Sequence, residues 1–139
     1  MIRRLPLPDS FYTVNGKHGL RYRVERLLPG FYPLRSGFTT GSCATAATRA
    51  ALLGLLTQET QHSATITLPD GETVTLPVST CVITDSDCTC GVTKDAGDDP
   101  DVTNGYTILS TVSLTNTPGV HFLPGEGVGI VTLPGIGIP

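Results

Sequence analysis

Thr39-Thr40-Gly41-Ser42-Cys43 stands directly ahead of an Ala-rich stretch, and hydroxyl residues with a glycine are the usual material of a helix start. Unpaired amides in a first helical turn, with the positive end of the helix dipole, suit a carboxylate or a phosphate. Ordinary capping uses the same residue types, so both readings stand at this point. A P-loop is excluded: its pattern needs a lysine, and none lies between Lys17 and Lys94. A helix start would lower the pKa of Cys43 and make it a candidate nucleophile. Its Ala-rich neighbours, and the absence of a histidine nearby in sequence, favour a core-facing thiol instead.

Lys94-Asp95-Ala96-Gly97-Asp98-Asp99-Pro100-Asp101 is the most unusual segment, with four carboxylates in seven residues. Such a group repels itself unless solvent, backbone amides or a cation compensates. An EF-hand is excluded, because the loop needs a glutamate at position twelve and that position, counted from Asp95, is Tyr106. Two readings remain: a solvated loop shaped by Asx turns, or carboxylates that act as a base or hold a cationic cofactor.

Cys81, Cys88 and Cys90 form the third group. Zinc knuckles favour two to four residues between paired cysteines, and here only Thr89 intervenes. On a strand that spacing turns both thiols to the same side. A metal or redox cluster of three thiols is conceivable, but small packing residues, reduced and metal-free, are the expectation. His18, His62 and His121 form no set with these groups.

The elements that must position these residues follow from periodicity. Residues 42–57 predict one Ala-rich helix, with Cys43, Ala46, Ala47, Ala50, Ala51, Gly54 and Leu55 on a single face. That face is made of small side chains, so a neighbouring backbone can approach closely. From residue 64 the period changes to two, and residues 64–68 and 72–78 read as a hairpin about Pro69-Asp70-Gly71. Residues 80–84 and 89–93 read as further strands around Asp85-Ser86-Asp87. Residues 94–104 read as a loop, and residues 105–114 as a long strand with Tyr106, Ile108 and Leu109 inward. Residues 1–33 read as an irregular arm, with short extended pieces at Tyr12–Val14 and Leu20–Val24 interrupted by prolines. The fold class is α+β: a predominantly antiparallel sheet with one principal helix.

With 139 residues the chain has the length of one domain, and it contains no run of apolar residues long enough to span a membrane. The absence of a signal-peptide pattern and four cysteines with no secretory context point to a cytoplasmic protein with free thiols. Its net charge of −3 hides an asymmetry: residues 1–50 carry eight basic and two acidic groups, residues 51–139 one basic and ten acidic. A nucleic-acid partner is therefore disfavoured, while a local basic face could hold a small anion. Only 15% of residues are charged, which fits a surface partly covered by another domain or subunit, a homo-oligomer included.

Three stretches together resemble one family. Residues 34–44, LRSGFTTGSCA, resemble the opening signature of the anaerobic cobalamin-pathway enzymes that methylate cobalt-precorrin-5B at C1. Residues 92–105, VTKDAGDDPDVTNG, are similar to that family's aspartate-rich loop, and residues 125–135, GEGVGIVTLPG, to its third motif. The resemblance covers residues 34–139; Thr80 to Gly91 departs from the family's more regular strand-turn-strand, leaving a local cysteine function open.

The resemblance implies methyl transfer from S-adenosylmethionine to a ring carbon of an anionic cobalt-tetrapyrrole, with cobalt arriving inside the substrate and no protein metal site. It implies that residues 34–139 are a substrate-side domain. A second, cofactor-binding α/β domain is the expected partner, absent from this chain, which would make the chain a truncated and inactive part of the enzyme. Arg35, Thr39, Thr40, Gly41, Ser42, Arg49 and Lys94 are the expected substrate clamps. Asp98 and Asp99 are the expected catalytic carboxylates, and Asp95, Gly97, Pro100 and Asp101 the residues that shape the loop. The alternative is a non-catalytic α+β binding or assembly module.

Overall fold

The computed structural model describes residues 37–129. The N-terminal arm, Arg35 and the end of the third motif lie outside them. The described chain runs α1 (Thr40–Thr57), β1 (Ser63–Thr67), β2 (Thr73–Pro77), β3 (Thr80–Ile83), β4 (Asp87–Thr93) and β5 (Thr107–Ser113).

Helix α1 starts two residues ahead of expectation because Thr39 takes the N-cap. Its backbone is extended (φ −73°, ψ 160°) and its Oγ1 accepts from the Ser42 amide at 3.1 Å. The helix ends at Gln58, whose φ of 57° is left-handed without a glycine. Two bonds hold that conformation: the Gln58 amide donates to Gly54 O at 2.8 Å, and its side-chain Nε2 donates to Leu55 O at 2.8 Å. Cys43, Ala46, Ala47, Ala50, Ala51, Gly54 and Leu55 are the buried residues of the helix, the same seven that the periodicity places on one face.

The strands form two antiparallel sheets, β1-β2 and β3-β4-β5. Strands β1 and β2 alternate exposed and buried positions, with Ala64, Ile66, Val74 and Leu76 turned to the core. Their connection is a β-turn over Leu68–Gly71: the Gly71 amide donates to Leu68 O at 2.8 Å, and Gly71 takes φ 87°. The Leu68 amide then donates to Glu72 O at 2.7 Å, which closes the hairpin. Strand β4 pairs with β3 on one side and β5 on the other, and its Cys88, Cys90 and Val92 are buried under α1. The outer faces carry threonine pairs, Thr65 with Thr75 at 2.8 Å and Thr89 with Thr111 at 2.7 Å.

Strand β5 corrects part of the sequence reading. Ile108 and Val112 do pack against the core, but Tyr106 and Leu109 are exposed. Leu109 has the opposite parity to Ile108, so the pleat turns it to the other face. Tyr106 shares the parity of Ile108 but lies beyond the last ladder pair, Thr93 with Thr107, where the chain leaves the sheet.

Candidate functional site

The start of α1 and the loop between β4 and β5 meet in one junction. The Phe38 amide donates to Asp95 O at 2.7 Å. At Gly37 a Cβ would fall 2.0 Å from the Ala96 carbonyl carbon and 2.2 Å from the Gly97 nitrogen, so two backbones touch where only glycine fits. The residues that precede the helix are thereby fastened to the middle of the acidic loop.

The loop is closed at its neck by two backbone bonds: Lys94 N–H to Tyr106 O at 2.9 Å and Gly105 N–H to Lys94 O at 2.8 Å. Inside it, side chains replace the missing ladder. Asp95 Oδ1 accepts from the Gly97 amide at 2.9 Å, and Asp101 Oδ1 accepts from the Thr103 amide at 2.8 Å, both Asx turns. Asn104 Oδ1 accepts from the Ala96 amide at 2.9 Å across the loop, and Gly97 takes φ 66°. Asp98 and Asp99 stand exposed at the tip, beside Pro100.

Lys94 is the centre of the junction. Its side chain is 2% exposed and ion-paired. The ammonium donates to Thr40 Oγ1 at 3.1 Å, to Thr103 Oγ1 at 2.8 Å and to Asp101 Oδ2 in a short ion pair. Those three acceptors match its three N–H donors, which is how a buried ammonium is tolerated. Lys94, then Thr103 and its amide, hold the Asp101 carboxyl well below the usual carboxylate range. Asp101 balances the single charge of the Lys94 ammonium, so what the first turn itself presents is the positive end of the helix dipole. The hydroxyl-bearing turn around Thr39 to Ser42 therefore offers its first-turn amides and hydroxyls.

Thr39, Thr40, Gly41, Ser42 and Lys94 are brought together, with Asp95, Gly97 and Asp101 framing them. Arg49 is not: nine residues along α1 place it about 13 Å up the helix and on the opposite side from Thr40. Thr103 and Asn104 escaped sequence reading as site residues. The available signals were the Asp101-x-Thr103 spacing of an Asx turn and the Asn104-Gly105 turn dipeptide. Cys43 is fully buried; burial pushes its thiol up against the opposing pull of Lys94, so it lacks the character of a nucleophile.

Fold and site define an α+β domain that presents a hydroxyl-lined helix start bound to a structured acidic loop. Residues 30–139 match the family model described as CbiD, and the chain belongs to that family. It is 54% identical over 106 residues to the cobalt-precorrin-5B C(1)-methyltransferase of Geobacillus kaustophilus (strain HTA426), covering 76% of this chain and 28% of that protein. The protein of the same name from Geobacillus thermodenitrificans (strain NG80-2) is 52% identical over 106 residues, with the same coverage of each chain. That from Pseudomonas putida (strain GB-1) is 49% identical over 104 residues, 75% of this chain and 29% of that one. The chain thus spans little more than a quarter of the length of these relatives. No solved structure matches it.

Proposed function

We propose that this chain is the N-terminal, substrate-side part of a methyltransferase that acts on C1 of cobalt-precorrin-5B. The relatives carry that name, and their methyl transfer implies a donor of the S-adenosylmethionine type, which supplies an electrophilic methyl group. All strand pairs among the described residues are antiparallel, with no crevice at the ends of parallel strands of the kind that takes nucleosides in α/β folds. Donor binding is accordingly assigned to the remainder of the protein, and no step here is routed through it. The same remainder is the proposed cover for the exposed apolar residues Leu109, Val120, Phe122 and Leu123. No helix of the described residues is long and apolar enough to cross a membrane, and the proposed setting is the cytoplasm.

The observation that carries the proposal is the Lys94 junction, which joins the helix-start signature to the aspartate-rich loop. Cobalt-precorrin-5B bears acetate and propionate arms. The exposed hydroxyls and first-turn amides of Thr39 to Ser42, backed by the buried ammonium, suit one of those carboxylates. Arg35 serves as a second clamp in this proposal; Arg49 is left out of it. With the macrocycle held there, orientation supplies most of the rate. Asp98 and Asp99, exposed at the loop tip, are the proposed carboxylates for proton removal from the ring.

Gly41→Asp in the full-length protein separates this role from plain capping. A Cβ at Gly41 meets only Thr39 Oγ1, at 3.7 Å, so the side chain fits. A carboxylate in the first turn should stabilise the helix by about 0.3–1 kcal/mol. It should also repel the substrate's own carboxylate. The expected result is an equal or higher melting temperature with at least a tenfold loss of affinity for cobalt-precorrin-5B. Unchanged affinity would leave the turn as a cap and remove the proposed site.

A further inference from the structure

A second group of chemically capable side chains lies far from the junction. Gly54, whose backbone covers it, is fourteen residues beyond Thr40, about 20 Å along α1. The β3–β4 register sets Cys81 directly opposite Cys90, while Cys88 shares the face of Cys90 two residues away. The three Sγ atoms lie within 4.8 Å of one another, Cys81 to Cys88 at 3.9 Å and Cys88 to Cys90 at 3.9 Å. Spacing along β4 alone presents two thiols; the third comes from the neighbouring strand, and no Cys-x-Cys pattern reveals it.

We propose that Cys81, Cys88 and Cys90 form a three-thiolate site for a soft, thiophilic d10 cation, Zn(II) or Cu(I). These separations are far longer than a disulfide, at about 2.05 Å. The two separations of 3.9 Å match a metal shell, in which sulfurs about 2.3 Å from a tetrahedral zinc sit about 3.8 Å from each other. The third pair, Cys81 with Cys90, lies within 4.8 Å and has at most about 1 Å to close. All three donors are sulfur, which selects a soft cation over magnesium or calcium.

The surroundings support the assignment. The Gln61 amide donates to Cys81 Sγ at 3.4 Å, the kind of outer bond that orients a metal thiolate. Gly54 has no side chain where a Cβ would lie 2.9 Å from Cys88 Sγ and 3.6 Å from Cys81 Sγ, so helix backbone closes one side. Cys88 and Cys90 are fully buried and Cys81 is half-buried, which leaves entry, and a water as fourth zinc ligand, on the Cys81 side. On binding, each thiol releases its proton to solvent and forms one metal–sulfur bond, with no change of oxidation state. Because each thiol must lose its proton to bind the cation, affinity should rise with pH. The proposal replaces the expectation of metal-free packing thiols.

The test uses the full chain, reduced and anaerobic, titrated separately with Zn(II) and Cu(I) and followed by metal stoichiometry, thiol reactivity and thermal melts. One equivalent should bind, protect the half-exposed Cys81 from alkylation and raise the melting temperature. Cys81→Ser, at the half-exposed position, should fold and lose at least tenfold in affinity. Saturation by one ion and not the other assigns it. A folded, reduced parent that takes up neither ion stoichiometrically overturns the proposal, and so does a Cys81→Ser variant that binds as tightly as the parent. Should the variant not fold, the metal stoichiometry of the parent decides alone.

Discussion

Lys94 shows how one side chain can tie three parts of a chain together: the helix start through Thr40, the end of the loop through Thr103, and the Asp101 carboxylate. Its charge was plain in the sequence, but its burial was not. A substrate clamp at Lys94 calls for an exposed ammonium, whereas the side chain is 2% exposed and its three donors go to Thr40, Thr103 and Asp101, so it supports the turn from behind. The opposite holds for Asp95 and Asp101, whose two-residue offsets to Gly97 and Thr103 are local and so can be read from the chain. The ion pair has a pH signature. Asp101 is held far below its ordinary value of 3.8, so as pH falls the unfolded chain takes up that proton first. The stabilisation is complete well above pH 3.8 and is lost as pH falls below it. Melts of the parent and of Asp101→Asn over that range should converge towards acid pH, with the parent the more stable at neutrality. Parallel curves at all pH values would remove this role for the pair.

Among the elements, α1 was the most legible. Its small face follows from a period of 3.6 residues, and that face is buried while Leu52, Leu53 and Leu56 lie exposed outside it. The hairpin of β1 and β2 was legible for a similar reason: alternation fixed the faces and Pro69-Asp70-Gly71 fixed the turn. Strand β5 was read less well because threonine and serine alternate there with apolar residues on both faces, so the pattern alone does not say where pairing stops. The close contact of helix and sheet can be tested at Ala47, which is 0% exposed. Ala47→Leu should overpack it and cost about 1–3 kcal/mol, read from denaturant unfolding. A variant as stable as the parent would mean that the face has room to spare.

At the scale of the whole molecule, two antiparallel sheets sit with one helix that packs chiefly on β4 and β5 and reaches β1 and β3. That arrangement joins the first two family-like motifs of the sequence, 34–44 and 92–105, through contacts that neither motif announces by itself: Gly37 against Ala96, Phe38 against Asp95, Thr40 against Lys94. The third motif runs past the described residues. In the proposed function this junction serves a methyl transfer to cobalt-precorrin-5B, with the loop tip taking part directly. The most direct measurement is the single-turnover rate of labelled methyl transfer from S-adenosylmethionine to cobalt-precorrin-5B by the full-length protein carrying Asp98→Asn or Asp99→Asn, alongside a thermal melt. The account predicts parental melting with at least one of the two rates lowered by tenfold or more, in line with the loss of a base. Parental rates in both variants, or rates lost only through unfolding, would contradict it.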